Sequence, residues 1–167
     1  IVTSISIVRL FPARGKGRSF DRFKFWRHSF GCATATRMLA EDLQFDTEGV
    51  DFVAGLLHDV GKLFVPAEIL QKPAQLDDRE WAIMQEHPRK GAEYLFSTPG
   101  VPRLAVVTAY EHHMRYDGSG YPRVSRPWKQ HLASQMTTIS DFFDALRTHR
   151  SYRESLTLDT VTAIMLE

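Results

Sequence analysis

The sequence has little cysteine, no long apolar run and no excess of charge of one sign. Cys32 is the single cysteine among 167 residues, so an internal disulfide is excluded and a reducing, cytoplasmic location is expected. No apolar run approaches the roughly 18–20 residues of a membrane-spanning helix, so no membrane span is expected. Lysine and arginine total 21 against 20 acidic residues, which gives no general attraction for nucleic acid polymers or anionic membranes.

The residues that are present suit one globular domain. A chain of 167 residues with 43% hydrophobic residues is long enough to bury a core. Residues 1–10 are apolar but lack an initiator methionine and a preceding basic stretch, so we interpret the chain as part of a longer protein. Residues 11–19 are basic and rich in glycine. We therefore predict a linker, or the end of a preceding domain, over residues 1–20 and a single domain over residues 21–167.

The spacing of apolar residues predicts an all-α fold. Apolar residues recur at three- and four-residue intervals over residues 21–43, which predicts a first helix. Further helices are predicted over residues 46–58, 66–71, 77–96, 102–114, 128–148 and 157–166. Asp46 or Thr47 is the expected cap of the second helix, and Pro88 is expected to kink the fourth. Glycines and prolines predict a loop over residues 116–127, and strand signals are weak.

Histidines and aspartates follow one another at intervals that suit a metal site. They lie about one helix plus a turn apart, at His28, His58-Asp59, His87, His112-His113 and Asp141. This spacing lets successive antiparallel helices each bring a donor to one level of a bundle. Imidazole and carboxylate together suit iron, manganese or zinc, and a carboxylate between histidines can bridge two cations that act on a phosphate. A structural zinc site built from thiolates is disfavoured, because only one cysteine is present.

Two motifs in this set resemble a known family. The stretch His58-Asp59-Val60-Gly61-Lys62 resembles the HDxGK signature of HD-domain phosphohydrolases, and residues 112–122 (HHMRYDGSGYP) resemble the HHExxDGxGYP signature of the HD-GYP subfamily. The resemblance covers about residues 25–153. It implies a bundle of five or more helices with a metal site in its centre. It also implies hydrolysis of cyclic di-GMP, or a related cyclic dinucleotide, to the linear dinucleotide or GMP by a metal-bridging hydroxide.

The resemblance also implies roles for individual residues. One metal would be held by His28, His58, Asp59 and Asp141. Asp59 would bridge to a second metal, which would be held by His87, His112 and His113. Asp59 and Lys62 would be catalytic, with Lys62 stabilising charge at the scissile phosphate.

Substrate contacts are implied for a further set of residues: Lys62, Asp144, Arg150, Arg153 and Tyr121. The arginines would bind phosphates, Asp144 would lie beside the site, and Tyr121 would be an exposed tyrosine of a recognition or lid loop. Without the resemblance, the lysine and the arginines would be interpreted as solvated charges at helix ends, which is the commoner role of such residues. Asp117 is expected to brace the glycine loop, and a protein partner at the Gly-Tyr-Pro loop is a further implication.

The sequence departs from the family pattern at three places. Lys24 stands four residues before His28, where members with three metals have a glutamate. A cation there cannot be a ligand and would repel a third ion, so we predict two divalent metals per chain, with iron or manganese favoured. Met114 replaces the glutamate after the paired histidines, and residues 123–134 are less typical. These departures leave two alternatives: a catalytically weak module that binds cyclic dinucleotides or signalling partners through the loop, or a phosphohydrolase for another nucleotide.

Overall fold

The computed structural model describes residues 21–125, 128–148 and 154–166. These residues form eight α-helices and one short 3-10 helix, without a strand, so the all-α prediction is confirmed. The helices are α1 Arg22–Asp42, α2 Val50–Leu57, α3 Ala67–Leu70, α4 Asp78–Met84, α5 His87–Phe96, α6 Arg103–Glu111, α7 Leu132–Arg147 and α8 Leu158–Leu166. The 3-10 helix, Val60–Phe64, follows α2.

Polar side chains determine where the first and fourth helices begin. The Asp21 carboxylate accepts a hydrogen bond from the Lys24 main-chain N–H at 3.0 Å and caps α1. Asp77 and Glu80 form the predicted capping box of α4, in which each side chain accepts the other residue's main-chain N–H. Capping satisfies donors that the first turn of a helix leaves without partners, so the sequence defines these starts closely.

Three predicted helices differ from the observed ones. The helix predicted over residues 77–96 is broken between Met84 and His87, so Pro88 lies in the first turn of α5 instead of kinking a continuous helix. Proline suits that position because its missing N–H has no partner there. Neither predicted residue is the N-cap of α2, which is Gly49, and the Thr47 hydroxyl accepts the Asp51 N–H at 3.0 Å. The seventh helix begins at residue 132, four residues later than predicted.

The site lies where α1, α2, α6 and α7 pack against one another, with α5 closing one side. The main buried cluster is apolar and contains Phe25, Ala54, Leu57, Val60, Leu95, Ala105 and Ala109. Small residues bring the first two helices close, because a Cβ atom at Gly55 would lie 2.9 Å from the Ala33 Cα. The polar residues at the ends of α2 and α6, His58 and His112, are also buried. None of the helices within the described ranges has the length and apolar character required to cross a bilayer.

Candidate metal centre

The structure brings together all seven residues predicted to bind metal. Together with Cys32, which was not predicted, their donor atoms form two groups of four, in each of which the atoms lie within 4.8 Å of one another: His28, Cys32, His58 and Asp141 in the first, and Asp59, His87, His112 and His113 in the second. These residues come from α1, the end of α2, the start of α5, the end of α6, and α7. Four of them, His58, Asp59, His87 and His112, are almost completely buried.

Asp59 lies between the two groups. One of its oxygens, Oδ2, is 3.4 Å from His28 Nε2 and 3.5 Å from His58 Nε2. The other, Oδ1, is 3.4 Å from His87 Nε2 and 3.6 Å from His112 Nε2. Burial alone would raise the pKa of this carboxyl, but the Lys62 ammonium and the surrounding histidines outweigh burial and hold the pKa well below its usual range. Asp59 is therefore an ionised carboxylate with one oxygen directed at each group, as a bridging ligand requires.

Main-chain carbonyls fix the orientation of three histidine rings. In each, Nδ1 lies within hydrogen-bonding distance of a carbonyl oxygen about one turn earlier: 2.7 Å for His58 and Gly55, 2.7 Å for His87 and Met84, and 3.0 Å for His112 and Ala109. A carbonyl only accepts, so the proton of each neutral ring is on Nδ1 and the lone pair is on Nε2. Burial lowers the pKa of His58 to about 4 and also lowers that of His87, so both rings are neutral at pH 7.

This tautomer leaves several buried acceptors facing each other. His87 Nε2 and His112 Nε2 are 3.3 Å apart, and with both protons on Nδ1 there is no hydrogen to share between them. His58 Nε2 and Asp59 Oδ1 are buried without a hydrogen-bond partner. Each such atom costs about 1–3 kcal/mol if it stays unsatisfied. Divalent cations would satisfy all of these lone pairs, so the residues present fit a metal centre.

His28 is oriented by a carboxylate. Its Nδ1 donates to Asp144 Oδ2 at 2.6 Å, and its Nε2 lies 3.2 Å from Asp141 Oδ1. Burial opposes protonation of this ring, but the hydrogen bonds with Asp141, Asp144 and Asp59 outweigh burial and raise the pKa of His28 well above its usual value. A histidine that donates to a carboxylate, and whose other nitrogen loses its proton when an ion binds there, is a common arrangement around protein-bound metals.

Comparison with known proteins gives the family. The model of the HD domain family matches residues 15–167, which is nearly the whole chain. The chain belongs to the HD domain family. Together with its relatives, the Gly-Tyr-Pro motif identifies this HD domain as one of the HD-GYP type. HD domains are metal-dependent, in agreement with the cluster of histidines and aspartates described above.

Two curated relatives and one solved structure illustrate the similarity. The HD domain is 44% identical over 105 residues to 3'3'-cGAMP-specific phosphodiesterase 2 of Vibrio cholerae, covering 62% of this chain and 20% of that protein. It is 36% identical over 131 residues to cyclic di-GMP phosphodiesterase response regulator RpfG of Xanthomonas campestris, covering 77% of this chain and 35% of that protein. The chain thus spans about a third or less of these relatives. Bd1817, an HDG"Y"P protein of Bdellovibrio bacteriovorus, superposes with a TM-score of 0.65 at 18% identity, covering 77% of this chain and 43% of that one.

The Gly-Tyr-Pro loop of this HD domain folds back onto the metal centre. Tyr121 is partly buried, with its ring centroid 4.7 Å from that of His113 and 5.8 Å from that of Trp81, so the prediction of an exposed tyrosine was wrong. Burial raises the pKa of its hydroxyl. The loop can approach because Gly120 has no Cβ, which would overlap the His113 carbonyl oxygen, and Tyr121 N donates to that oxygen at 3.1 Å. Tyr116, by contrast, is fully exposed.

Asp117 has the bracing role that was expected. Its Oδ1 accepts hydrogen bonds from the Ser119 main-chain N–H at 2.9 Å and from the Ser119 hydroxyl at 2.8 Å. These two bonds close the turn that carries Gly118, whose φ of 76° suits glycine. Asp117 therefore shapes the loop and is not a member of either donor group.

Lys62 and Lys24 have different surroundings. The Lys62 ammonium donates to Asp59 Oδ2 and is partly exposed, so it lies at the solvent side of the centre. The Lys24 side chain is 76% exposed, and its ammonium lies 3.8 Å from Asp21 Oδ2. Solvent therefore screens its charge, and its repulsion of a third ion is weaker than the sequence suggested, although it still offers no ligand. Arg150 and Arg153, the predicted phosphate contacts, lie outside the described residues.

Sequence reasoning missed two contacts and one buried carboxylate. The bond between Asp144 and His28 joins residues 116 positions apart, so no local pattern indicates it. Cys32 was discounted although it lies four residues after His28, a spacing that places both side chains on one helix face. Glu111 is buried and accepts the Trp128 indole N–H at 2.7 Å, which ties the chain after the loop to the end of α6.

The Asp144 contact gives a testable prediction. We expect Asp144→Ala to lower the affinity of the first group for divalent metal by about 10- to 100-fold, because the His28 ring loses the acceptor that orients it. Asp144→Asn keeps an acceptor oxygen and should lose less. Competition with a chelating dye measures both variants, and Asp42→Ala at the exposed end of α1 is the control. Unchanged affinity in both Asp144 variants would contradict an orienting role.

Proposed function

We propose that this HD domain is a phosphodiesterase that hydrolyses cyclic di-GMP, or a related cyclic dinucleotide, to the linear dinucleotide or GMP. The observation that carries the proposal is Asp59, an ionised carboxylate with one oxygen directed at each of two buried groups of histidines. The relatives support the substrate class, since one is named for 3'3'-cGAMP and the other for cyclic di-GMP. The proposal includes two divalent ions per chain, with iron or manganese favoured because the donors are mainly imidazole and carboxylate.

Different side chains of the domain would have different roles in this reaction. When bound, two divalent ions activate water and neutralise charge on the phosphate. Asp59, at the centre of both groups, fixes the distance between the two positions. The main-chain carbonyls of α2 and α6 hold the His58 and His112 rings in one tautomer, so their lone pairs need no reorganisation. The partly buried Tyr121 lies over His113 and shields that side of the centre from solvent.

We propose that Lys62 stabilises negative charge on the substrate. Its ammonium is at the solvent side of Asp59, where a phosphate would approach, and Lys62→Met removes this charge while keeping a long apolar stem. We expect kcat to fall by about 10²- to 10³-fold while two metals per chain are retained. Steady-state kinetics and elemental analysis on the same sample measure both quantities, and Lys24→Met is the control because Lys24 is highly exposed. An unchanged kcat, or loss of metal together with activity, would contradict this role.

The function itself is tested by supplying metal and substrate under controlled conditions. The domain is purified without oxygen, stripped with chelator, reloaded with Fe(II) or Mn(II), and incubated with cyclic di-GMP, 3'3'-cGAMP and a linear dinucleotide. Chromatography should show hydrolysis of a cyclic dinucleotide by the reloaded protein and none by the stripped protein. Two bound metals without hydrolysis of either cyclic substrate would overturn the proposal. That result would favour the alternative of a binding module, for which the exposed Arg115, Tyr116 and Arg123 beside a cavity of about 470 Å³ offer a surface.

A further inference from the structure

Cys32 lies inside the first donor group, although the family resemblance assigns it no role. It is on α1, one turn after His28, and is completely buried. Its Sγ is 3.7 Å from both ring nitrogens of His28. The sulfur also lies within 4.8 Å of the donor atoms of His58 and Asp141. A thiol is thus placed among three side chains that already converge.

The distance between sulfur and nitrogen is the one that two ligands of a single ion would have. Protein-bound zinc has bonds of about 2.3 Å to sulfur and about 2.1 Å to imidazole nitrogen. At a tetrahedral angle, these bonds place the two donor atoms about 3.6 Å apart. The observed 3.7 Å between Cys32 Sγ and His28 Nε2 is compatible with this value, and the equal distance to Nδ1 shows that the sulfur lies beside the ring. Donors four residues apart on a helix are also a known metal-binding spacing, because both project from one face.

A second, independent observation indicates a ligand at this place. His58 is completely buried, and its Nε2 belongs to the same group as Cys32. The other ring nitrogen, Nδ1, donates a hydrogen bond to the Gly55 carbonyl. Nε2 is therefore left as a buried acceptor without a hydrogen-bond partner. Such an atom requires a donor or a cation. The unsatisfied nitrogen and the thiol therefore face the same position from two different helices.

We propose that Cys32 is a sulfur ligand of the metal held by His28, His58, Asp141 and the shared Asp59, an inference that rests on the proposed metal-dependent function. The S–H proton passes to solvent as the sulfur–metal bond forms, so binding at this position releases a proton. Soft sulfur favours zinc, cobalt or iron over manganese. The two donor groups are consequently expected to differ in the metals that they prefer, because the second group contains only imidazole and carboxylate.

Cobalt(II) reports directly on such a bond. The stripped domain is loaded with Co(II) without oxygen, its absorption spectrum is recorded, and bound cobalt is counted by elemental analysis. We expect a thiolate-to-cobalt charge-transfer band in the near ultraviolet. In Cys32→Ser this band should disappear, and zinc affinity should fall by about 10-fold or more, whereas manganese affinity should change little. Cys32→Ala removes the donor altogether and should give the same spectral loss.

A matched control comes from the same face of α1. Thr36 is buried one turn beyond Cys32 and is in neither donor group, so Thr36→Val should keep the band. Far-ultraviolet circular dichroism confirms that each variant is folded. Cobalt bound to the unaltered domain without the band, or a band that persists in Cys32→Ser, would overturn this inference alone. Absence of bound cobalt would overturn both this inference and the proposed function.

Discussion

Alanine in place of Asp59 is expected to abolish both metal retention and hydrolysis. Both carboxylate oxygens are lost, so neither group keeps its shared ligand, and the Lys62 ammonium loses the partner beside it. The remaining donors would leave the two positions without the negative charge between them that holds two cations close together. Elemental analysis of the purified variant and chromatography of its reaction with a cyclic dinucleotide measure the two effects.

Two further variants separate charge from shape in this experiment. Asp59→Asn has almost the same volume and keeps one oxygen acceptor, so it should lose the second metal and the activity while remaining folded. Asp42→Ala removes an exposed carboxylate at the end of α1 and should change neither quantity. If Asp59→Ala kept two metals and full activity, the assignment of Asp59 as the bridging residue would be wrong.

The sequence predicted the fold class and the set of candidate ligands for the same physical reason. Apolar spacing along a helix and the intervals between His28, His58 and His87 are both local properties, which a helical bundle converts directly into position. The helix boundaries were less predictable. Pro88 was expected to kink a continuous helix, and it lies instead in the first turn of a new one. Proline is compatible with a kink inside a helix and with the first turn of a new helix. In the structure, the new helix α5 packs against the 3-10 helix and α6.

The protonation pattern of the centre depends on tertiary structure. His58, His87 and His112 have Nε2 as their free nitrogen because each Nδ1 faces a carbonyl about one turn earlier, which requires a particular rotamer of each ring. The Tyr121 ring is likewise turned inward by the contact of Gly120 with the main chain of residues 113–115, just after α6, so its position could not be deduced from the loop's composition. Sequence spacing therefore identifies which residues gather, and packing determines which atom of each residue faces the centre.

Gly61 is expected to be the glycine whose replacement is most damaging. A Cβ atom at this position would overlap the His87 carbonyl oxygen and would lie 2.7 Å from Gly91 N. Both atoms belong to the main chain of α5, so no side-chain rotation relieves the contact. We expect Gly61→Ala to lower the free energy of unfolding by about 3 kcal/mol or more, and to weaken metal binding by the second group. Denaturant unfolding of the stripped and the metal-loaded protein measures the two effects.

The cause of this effect is the distance between two elements of the centre. The 3-10 helix carries Lys62 and directly follows Asp59, and α5 carries His87, so the contact of Gly61 with α5 sets how close Asp59 and His87 lie. Gly31→Ala on α1 is the matched control, since its Cβ would meet only the Asp144 side chain, at 3.3 Å. That change should alter stability by about 1 kcal/mol or less, because alanine is the better helix former. An unfolding midpoint for Gly61→Ala equal to that of the unaltered protein would show that α5 does not lie this close to Gly61, and the distance between Asp59 and His87 would then need another explanation.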